Sequence, residues 1–170
     1  MADAAAILDR ARDIATEVLG PAAMTVELSR QIPAQHLDLL AGQGFYGLSA
    51  PQQFGGLGAG FGTACRVTEV FASGCLSTAF VWLQHQGAVR AITGSDNATL
   101  REKWLPDLSS GRRRAGIALA GAIPGPSMLR AERVAGGYVF NGFSPWVTGW
   151  GLIDTLHAAG RDEQDNVVWG

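Results

Sequence analysis

Few side chains in this sequence are of a type that does chemistry, and their spacing narrows the choice further. His36, His85 and His157 fall in separate segments, and none has a second histidine or a carboxylate at metal-ligand spacing. Cys65 and Cys75 lie ten residues apart without a C-x-x-C, so neither a zinc site nor a disulfide framework is indicated; two small thiols buried in helices is the expectation. No G-x-S-x-G and no cysteine beside a base offers a nucleophile. His85, inside Gln84-His85-Gln86, reads either as a histidine hydrogen-bonded within a helical bundle or as part of a ligand-pocket wall. Gly55-Gly56-Leu57-Gly58 lacks the lysine of a P-loop and the preceding strand of a dinucleotide fingerprint, which leaves a turn that needs positive φ. The run Arg112-Arg113-Arg114 reads as a solvated turn whose charge favours the preceding helix C-terminus, with anion binding as the alternative.

The richest stretch runs from Tyr138 to Trp150. Read as a strand, it sends Trp146 and Thr148 to one face, on either side of Val147. A flat aromatic and a hydroxyl on one face suit a planar heterocycle, while ordinary aromatic packing on a half-buried strand explains the same residues.

The elements that must position these residues divide into two textures. From Asp3 to about Ser110 the apolar spacing is helical. One helix carries Ile7, Leu8, Ala11, Ile14, Ala15, Val18 and Leu19 up to a stop at Gly20-Pro21; a second runs from Pro33 to a stop at Gly44. Further helices span Thr63 to Ala72, Thr78 to Thr93 with Ser77 as cap, and Ala98 to Leu108 capped by Ser95, Asp96 or Asn97. The Thr78 to Thr93 segment is apolar nearly all round, which places it in the middle of a bundle. After Gly111 the period shortens. Strands are expected at Ala115 to Ala120, around a Gly136-Gly137 turn, at Asp154 to Ala159 and at Asn166 to Trp169. These last sixty or so residues are few for a sheet domain with its own core, so a fragment of a larger protein is expected.

Composition bounds the partners. The 170 residues are 47% hydrophobic and 16% charged, which supports a buried core. Thirteen basic against fifteen acidic residues argue against nucleic acid, which attracts basic surfaces. No stretch approaches a membrane span and no signal-peptide core is visible, so a cytoplasmic, reduced protein is the expectation.

Several motifs in order resemble the acyl-CoA dehydrogenase family. Gly44-Phe45-Tyr46-Gly47 is followed by Pro51-Gln52-Gln53-Phe54-Gly55-Gly56-Leu57-Gly58, similar to the family's P-E-E-Y-G-G-x-G. Gly94 precedes Lys103-Trp104-Leu105-Pro106-Asp107-Leu108-Ser109-Ser110-Gly111, similar to K-x-x-x-L-P-x-L-x-x-G. Asn141-Gly142 and Trp146-Val147-Thr148 are similar to N-G-x-K-x-W-I-T. The resemblance implies an α+β chain: an all-α helical bundle over 1–110, then, over 111–170, the beginning of a β-barrel-like antiparallel sheet domain. It also implies an FAD flavoprotein that dehydrogenates an acyl-CoA thioester, passes electrons to an electron-transfer flavoprotein or similar acceptor, and assembles as a homo- or hetero-oligomer. Trp146, Val147 and Thr148 would contact the flavin, and the Thr78 to Thr93 helix, through Trp82, His85 and Gly87, would line the acyl channel. The family's glutamate base belongs to a C-terminal domain beyond Gly170, so no residue here takes a catalytic role.

Departures from the family pattern keep alternatives open. Where the family reads A-L-T-E-P-G-A-G-S-D, this chain has Ala118-Leu119-Ala120-Gly121-Ala122-Ile123-Pro124-Gly125-Pro126-Ser127, and Ser144 stands where N-G-x-K has lysine. Ala120 removes the threonine hydroxyl that meets the flavin, and Pro126 stands at the serine unless a one-residue slip brings Ser127 there. A non-catalytic partner subunit, or a flavin-dependent relative with other chemistry, is therefore the alternative.

Overall fold

The computed structural model describes residues 3–170. They form two compact units that divide between Arg114 and Ala115.

The first unit is helical. Helix α1 (Ala4–Ile14) is capped by Asp3, whose carboxylate accepts from the Ala5 N–H, and buries Ile7, Leu8, Ala11 and Ile14. The expected stop at Gly20-Pro21 does not occur. The chain widens into one π-helical stretch, Ala15–Leu19, and continues as α2 (Gly20–Glu27). Proline has no N–H to give and its ring crowds the turn before it, so it is tolerated here at the first turn of a new helical segment. The Gly20 N–H closes the wide turn on the Ala15 carbonyl. Helix α3 (Ala34–Gly42) follows Pro33 and ends before Gly44, whose φ of +79° only glycine adopts without strain.

Helices α4 (Phe61–Gly74) and α5 (Leu76–Thr93) pack side by side, and α6 (Ala98–Ser110) packs on α5. Ser77 does not cap α5. The N-cap is Cys75, in extended backbone, and the Ser77 hydroxyl instead donates to Glu27 Oε2 at 3.2 Å. Nor is α5 buried on every side: Trp82, His85, Gln86 and Val89 are inside, whereas Leu76 and Phe80 are exposed. Asn97 caps α6 by accepting from the Leu100 N–H at 3.0 Å. Phe45, Phe71 and Trp82 form the aromatic centre, with centroids 4.9 and 5.1 Å apart in edge-to-face pairs.

Between α3 and α4 the glycine-rich loop is structural. Leu57, Gly58 and Ala59 donate to the carbonyls of Gly47, Ala50 and Leu48, each at 2.9 Å, and fold the loop back on itself. Gly55 and Gly58 have positive φ, while at Gly56 a Cβ would sit 2.1 Å from the Ala50 carbonyl oxygen. The turn reading of this motif is the one the structure bears.

The arginine run is less solvated than expected. Arg112 pairs with Asp107, but Arg114 is largely covered, paired with Asp38 at 2.5 Å and laid over the Tyr46 ring. Burial of its stem against an aromatic face explains the difference.

The second unit is a five-stranded sheet of β1 (Ala115–Ala118), β2 (Leu129–Val134), β3 (Gly137–Gly142), β4 (Thr155–Arg161) and β5 (Val167–Trp169), in the order β1-β4-β2-β3 with β5 on β4. It is mixed rather than antiparallel. β2/β3 and β4/β5 are antiparallel, but β4 runs parallel to β1 and to β2. A parallel pair needs a long crossover, and the β2–β3 hairpin lies inside the one joining β1 to β4. The hairpin turn is Ala135-Gly136, with Gly136 at φ +84°, one residue before the expected pair. The buried apolar residues of this unit are all alanines: Ala115, Ala118, Ala120, Ala131 and Ala159. Backbones therefore approach closely. A Cβ on Gly121 would lie 2.4 Å from the Ala159 carbonyl oxygen.

These contacts predict a sharp contrast between two glycine substitutions. Gly56→Ala should lower unfolding free energy by about 3 kcal/mol through overpacking. Gly62→Ala, in the first turn of α4 with open space around it, should change it by less than about 1 kcal/mol. Urea titrations followed by circular dichroism measure both.

Candidate functional site

In the helical unit, α4, α5 and the strip Leu48-Ser49 enclose a cleft of about 310 Å³. Its wall is mainly apolar, from Leu48, Phe61, Ala64, Trp82 and Leu83, with Ser49, Cys65, Thr68, Gln86 and Arg90 adding polar atoms. On α5 the lining residues Trp82, Leu83, Gln86 and Arg90 recur at helical spacing, so one side of the helix faces the cleft. The folded-back glycine loop holds Leu48 and Ser49 against that side. Arg90 and Phe61 are exposed and mark the rim, whereas Trp82, Gln86 and Leu48 are buried.

Two side chains of α5 fix the loop that precedes the cleft. The Trp82 indole N–H donates to the Phe45 carbonyl at 3.2 Å, and Gln86 Nε2 donates to the same oxygen at 3.0 Å and to the Tyr46 carbonyl at 3.4 Å. The Gln86 Oε1 is buried and has no partner among the described residues.

Of the three residues expected to wall the acyl channel, only Trp82 lines this cleft. His85 faces the other way: its Nε2 lies 3.1 Å from the Leu108 carbonyl and its ring 4.5 Å from that of Tyr46. Desolvation pulls its pKa down to about 4, against the raising effect of the carbonyl hydrogen bonds. Gly87 is half-buried and outside the cleft lining. Sequence reasoning missed Gln86 because a glutamine within an apolar helix gives no signal until its partners are known. Cys65, expected to be buried, is half-buried on the cleft wall, and only Cys75 is inside. His36 is buried with Nδ1 3.3 Å from the Thr78 hydroxyl, and burial lowers its pKa. No cluster of three or more metal-ligating residues occurs among the described residues.

In the second unit, Trp146 and Thr148 do not share a strand. Strand β3 ends at Gly142, whose φ of +132° and closeness to the Met128 carbonyl admit no side chain. The chain then passes through turns, with the Ser144 hydroxyl donating to the Trp146 carbonyl at 3.0 Å and positive φ at Gly149 and Gly151. Trp146 is 63% exposed, with Phe143 and Trp150 also exposed, and Thr148 is half-buried. The Thr148 hydroxyl has no hydrogen-bond partner among the described residues. Ala120 is buried in a tight turn, and Ser127 is taken up locally, its hydroxyl donating to the Leu129 carbonyl at 2.6 Å.

His85 generates a pH prediction. Its folded pKa lies below the unfolded value near 6.5, so the unfolded chain binds more protons between about pH 6.5 and 4. Stability is full above 6.5 and falls by roughly 3 kcal/mol as the pH drops to about 4. Urea midpoints of the parent and His85→Gln at pH 7 and pH 5 check this. The parent should lose more stability than the variant.

Comparison with known proteins agrees with this architecture. The family model for the acyl-CoA dehydrogenase N-terminal domain matches residues 1–112. Isovaleryl-CoA dehydrogenase from Arabidopsis thaliana is 28% identical over 149 residues, 84% of this chain and 36% of its own length. The 3-sulfinopropanoyl-CoA desulfinase of Variovorax paradoxus is 28% identical over 166 residues, 95% of this chain and 41% of its own length. The chain thus spans well under half of these relatives. Among solved structures, PigA with FAD and proline superposes with a TM-score of 0.81 at 22% identity, over 96% of this chain and 45% of that one. With its helical unit matched almost throughout and the same fold in its neighbours, this chain belongs to the acyl-CoA dehydrogenase family.

Proposed function

We propose that this chain forms the N-terminal helical domain and the first strands of the middle domain of an FAD-dependent acyl-CoA dehydrogenase-like oxidoreductase. The observation that carries the reading is the apolar cleft between α4 and α5, inside the region the family model matches. A cleft of this volume suits a short acyl group, and its apolar wall removes the alkyl carbons from water. Residues 1–110 and 111–170 are the two domain pieces in this reading, and an oligomer serving an electron-transfer flavoprotein or similar acceptor completes it.

The residues of the second unit fit a flavin in part. Trp146 offers an exposed aromatic face and Thr148 an unpaired hydroxyl, with Val147 between them. Bound there, the flavin would supply the hydride acceptor for α,β-dehydrogenation. This chain's own contribution is to hold the ring system, with Thr148 giving a hydrogen bond and Trp146 covering an apolar surface. The second reading, a partner subunit without flavin, draws on Ala120 and Gly121. The first has no hydroxyl to offer, and the second is packed so tightly on β4 that no side chain fits.

Two measurements separate these readings. Nitrogen-15 spectra of the chain titrated with isovaleryl-CoA should show shifts at Leu83 and Trp82 that coenzyme A alone does not produce; identical responses would remove the acyl assignment. FAD titrated against tryptophan emission should bind, and Thr148→Val should weaken binding by about 0.5–1.5 kcal/mol, or roughly two- to twelvefold. Equal affinities would remove Thr148 from the site, and no binding to the parent favours the flavin-free subunit.

A further inference from the structure

Among the described residues that line the cleft between α4 and α5, only Arg90 is charged. It stands exposed at the rim, one turn after Gln86, and no hydrogen bond, ion pair or ring contact holds its guanidinium among the described residues. Nearby elements supply little that could. Helix α5 carries no acidic residue, and neither does the strip Leu48-Ser49. On α4 the single acid, Glu69, is outside the cleft lining, and Arg66 shares its helix. The walls of the cleft thus bring two arginines against one glutamate, and its mouth favours negative charge.

The other polar groups of the lining sort the same way. The Thr68 hydroxyl proton is used by the Ala64 carbonyl, and Gln86 Nε2 by the carbonyls of Phe45 and Tyr46. Gln86 Oε1, the one side-chain carbonyl oxygen of the lining, has essentially no accessible surface. The Ser49 hydroxyl and the Cys65 thiol are half-buried without a hydrogen-bond partner among the described residues, and both can donate. The unused hydrogens of the lining therefore belong to Arg90, Ser49 and Cys65. A carboxylate, which accepts and never donates, suits such a set, and the guanidinium fork matches its two oxygens.

We infer that the acyl group taken by this cleft carries a carboxylate, held by Arg90 at the mouth while its alkyl carbons lie against Leu48, Ala64 and Leu83. The inference rests on the reading of this cleft as the acyl site and names its substrate class. Arg90 is a specificity determinant: it pairs with the charge of the ligand and takes no part in bond making. A neutral alkyl group would fill the apolar wall equally well and leave the guanidinium to water, so the discrimination comes from charge. At an exposed rim that pairing is modest and sensitive to salt.

The test uses the whole 170-residue chain at pH 7 and two probes of one shape, hexanoate and hexanamide, of which only the first is charged. Nitrogen-15 spectra follow the Leu83 amide, the Trp82 indole N–H and the Arg90 Nε–H. The expected result is that both probes shift Leu83 and Trp82, while hexanoate alone shifts Arg90 and binds about two- to fivefold tighter at low ionic strength. That preference should fall to near one in about 1 M sodium chloride, where the screening length is ~3 Å. In Arg90→Gln it should be near one at low salt as well, with hexanamide still bound. Equal affinities in the parent, or an undiminished preference in the variant, overturn the carboxylate inference and leave the acyl reading standing. Hexanoate shifts confined to Arg90, with Leu83 and Trp82 unmoved, mean surface ion pairing only and overturn it too. Binding of neither probe overturns the acyl reading and the inference together. Should Arg90→Gln not fold, the salt series on the parent decides: a preference lost in high salt supports the inference, and one that persists overturns it.

Discussion

The carbonyl oxygen of Phe45 is where the helical unit is tied together. It accepts from the Trp82 indole and from the Gln86 amide, two side chains one turn apart on α5. A buried carbonyl left unpaired would cost about 1–3 kcal/mol, so α5 and the loop after α3 are held in one register. The cleft depends on that register. If the loop slid, Leu48 would leave the wall, Trp82 would lose its hydrogen bond, and Phe45 would lose its edge contact with Phe71. The glycine-rich segment reinforces the arrangement from the other side, through three backbone hydrogen bonds to residues 47–50.

The second unit is built on a different principle. It buries alanine methyl groups rather than large side chains, so each residue contributes little apolar area and the backbone must come close. Gly121, Gly116 and Gly160 each lie where a Cβ would collide with neighbouring atoms of the same unit. The glycines of this unit find their reason in these approaches and, at Gly142, Gly149 and Gly151, in turns with positive φ. Large aromatics are left outside: Phe143, Trp146, Trp150 and Trp169 are all exposed.

Most helices and strands were legible in the sequence because their signals are local. The three-and-four spacing of α1, the Asn97 cap of α6 and the short apolar runs of the strands act within a few residues. The family was legible for a similar reason, since its motifs keep their order even where single residues depart. Misreadings came where a distant partner decided the outcome. Gly20-Pro21 reads as a stop, yet the π turn lets the helix pass while Gly74 packs against Ala15. Ser77 reads as a cap, yet Glu27, fifty residues earlier, takes its hydroxyl. The parallel pairing of β4 depends on where a long crossover returns, which no local pattern encodes.

The site divides along the same line. By itself the sequence determined the family, the helical unit followed by strands, and the residue types available to a flavin and to an acyl group. Only the tertiary structure decided which face of α5 borders the cleft, turning Trp82 and Gln86 toward it and His85 toward Leu108. It also decided that Trp146 and Thr148 leave an irregular segment rather than a strand, because Gly142 ends β3 against the Met128 carbonyl. Hydrophobic spacing reports that a residue is buried. Which partner it meets there is set by hydrogen bonds and close contacts between segments far apart in the chain.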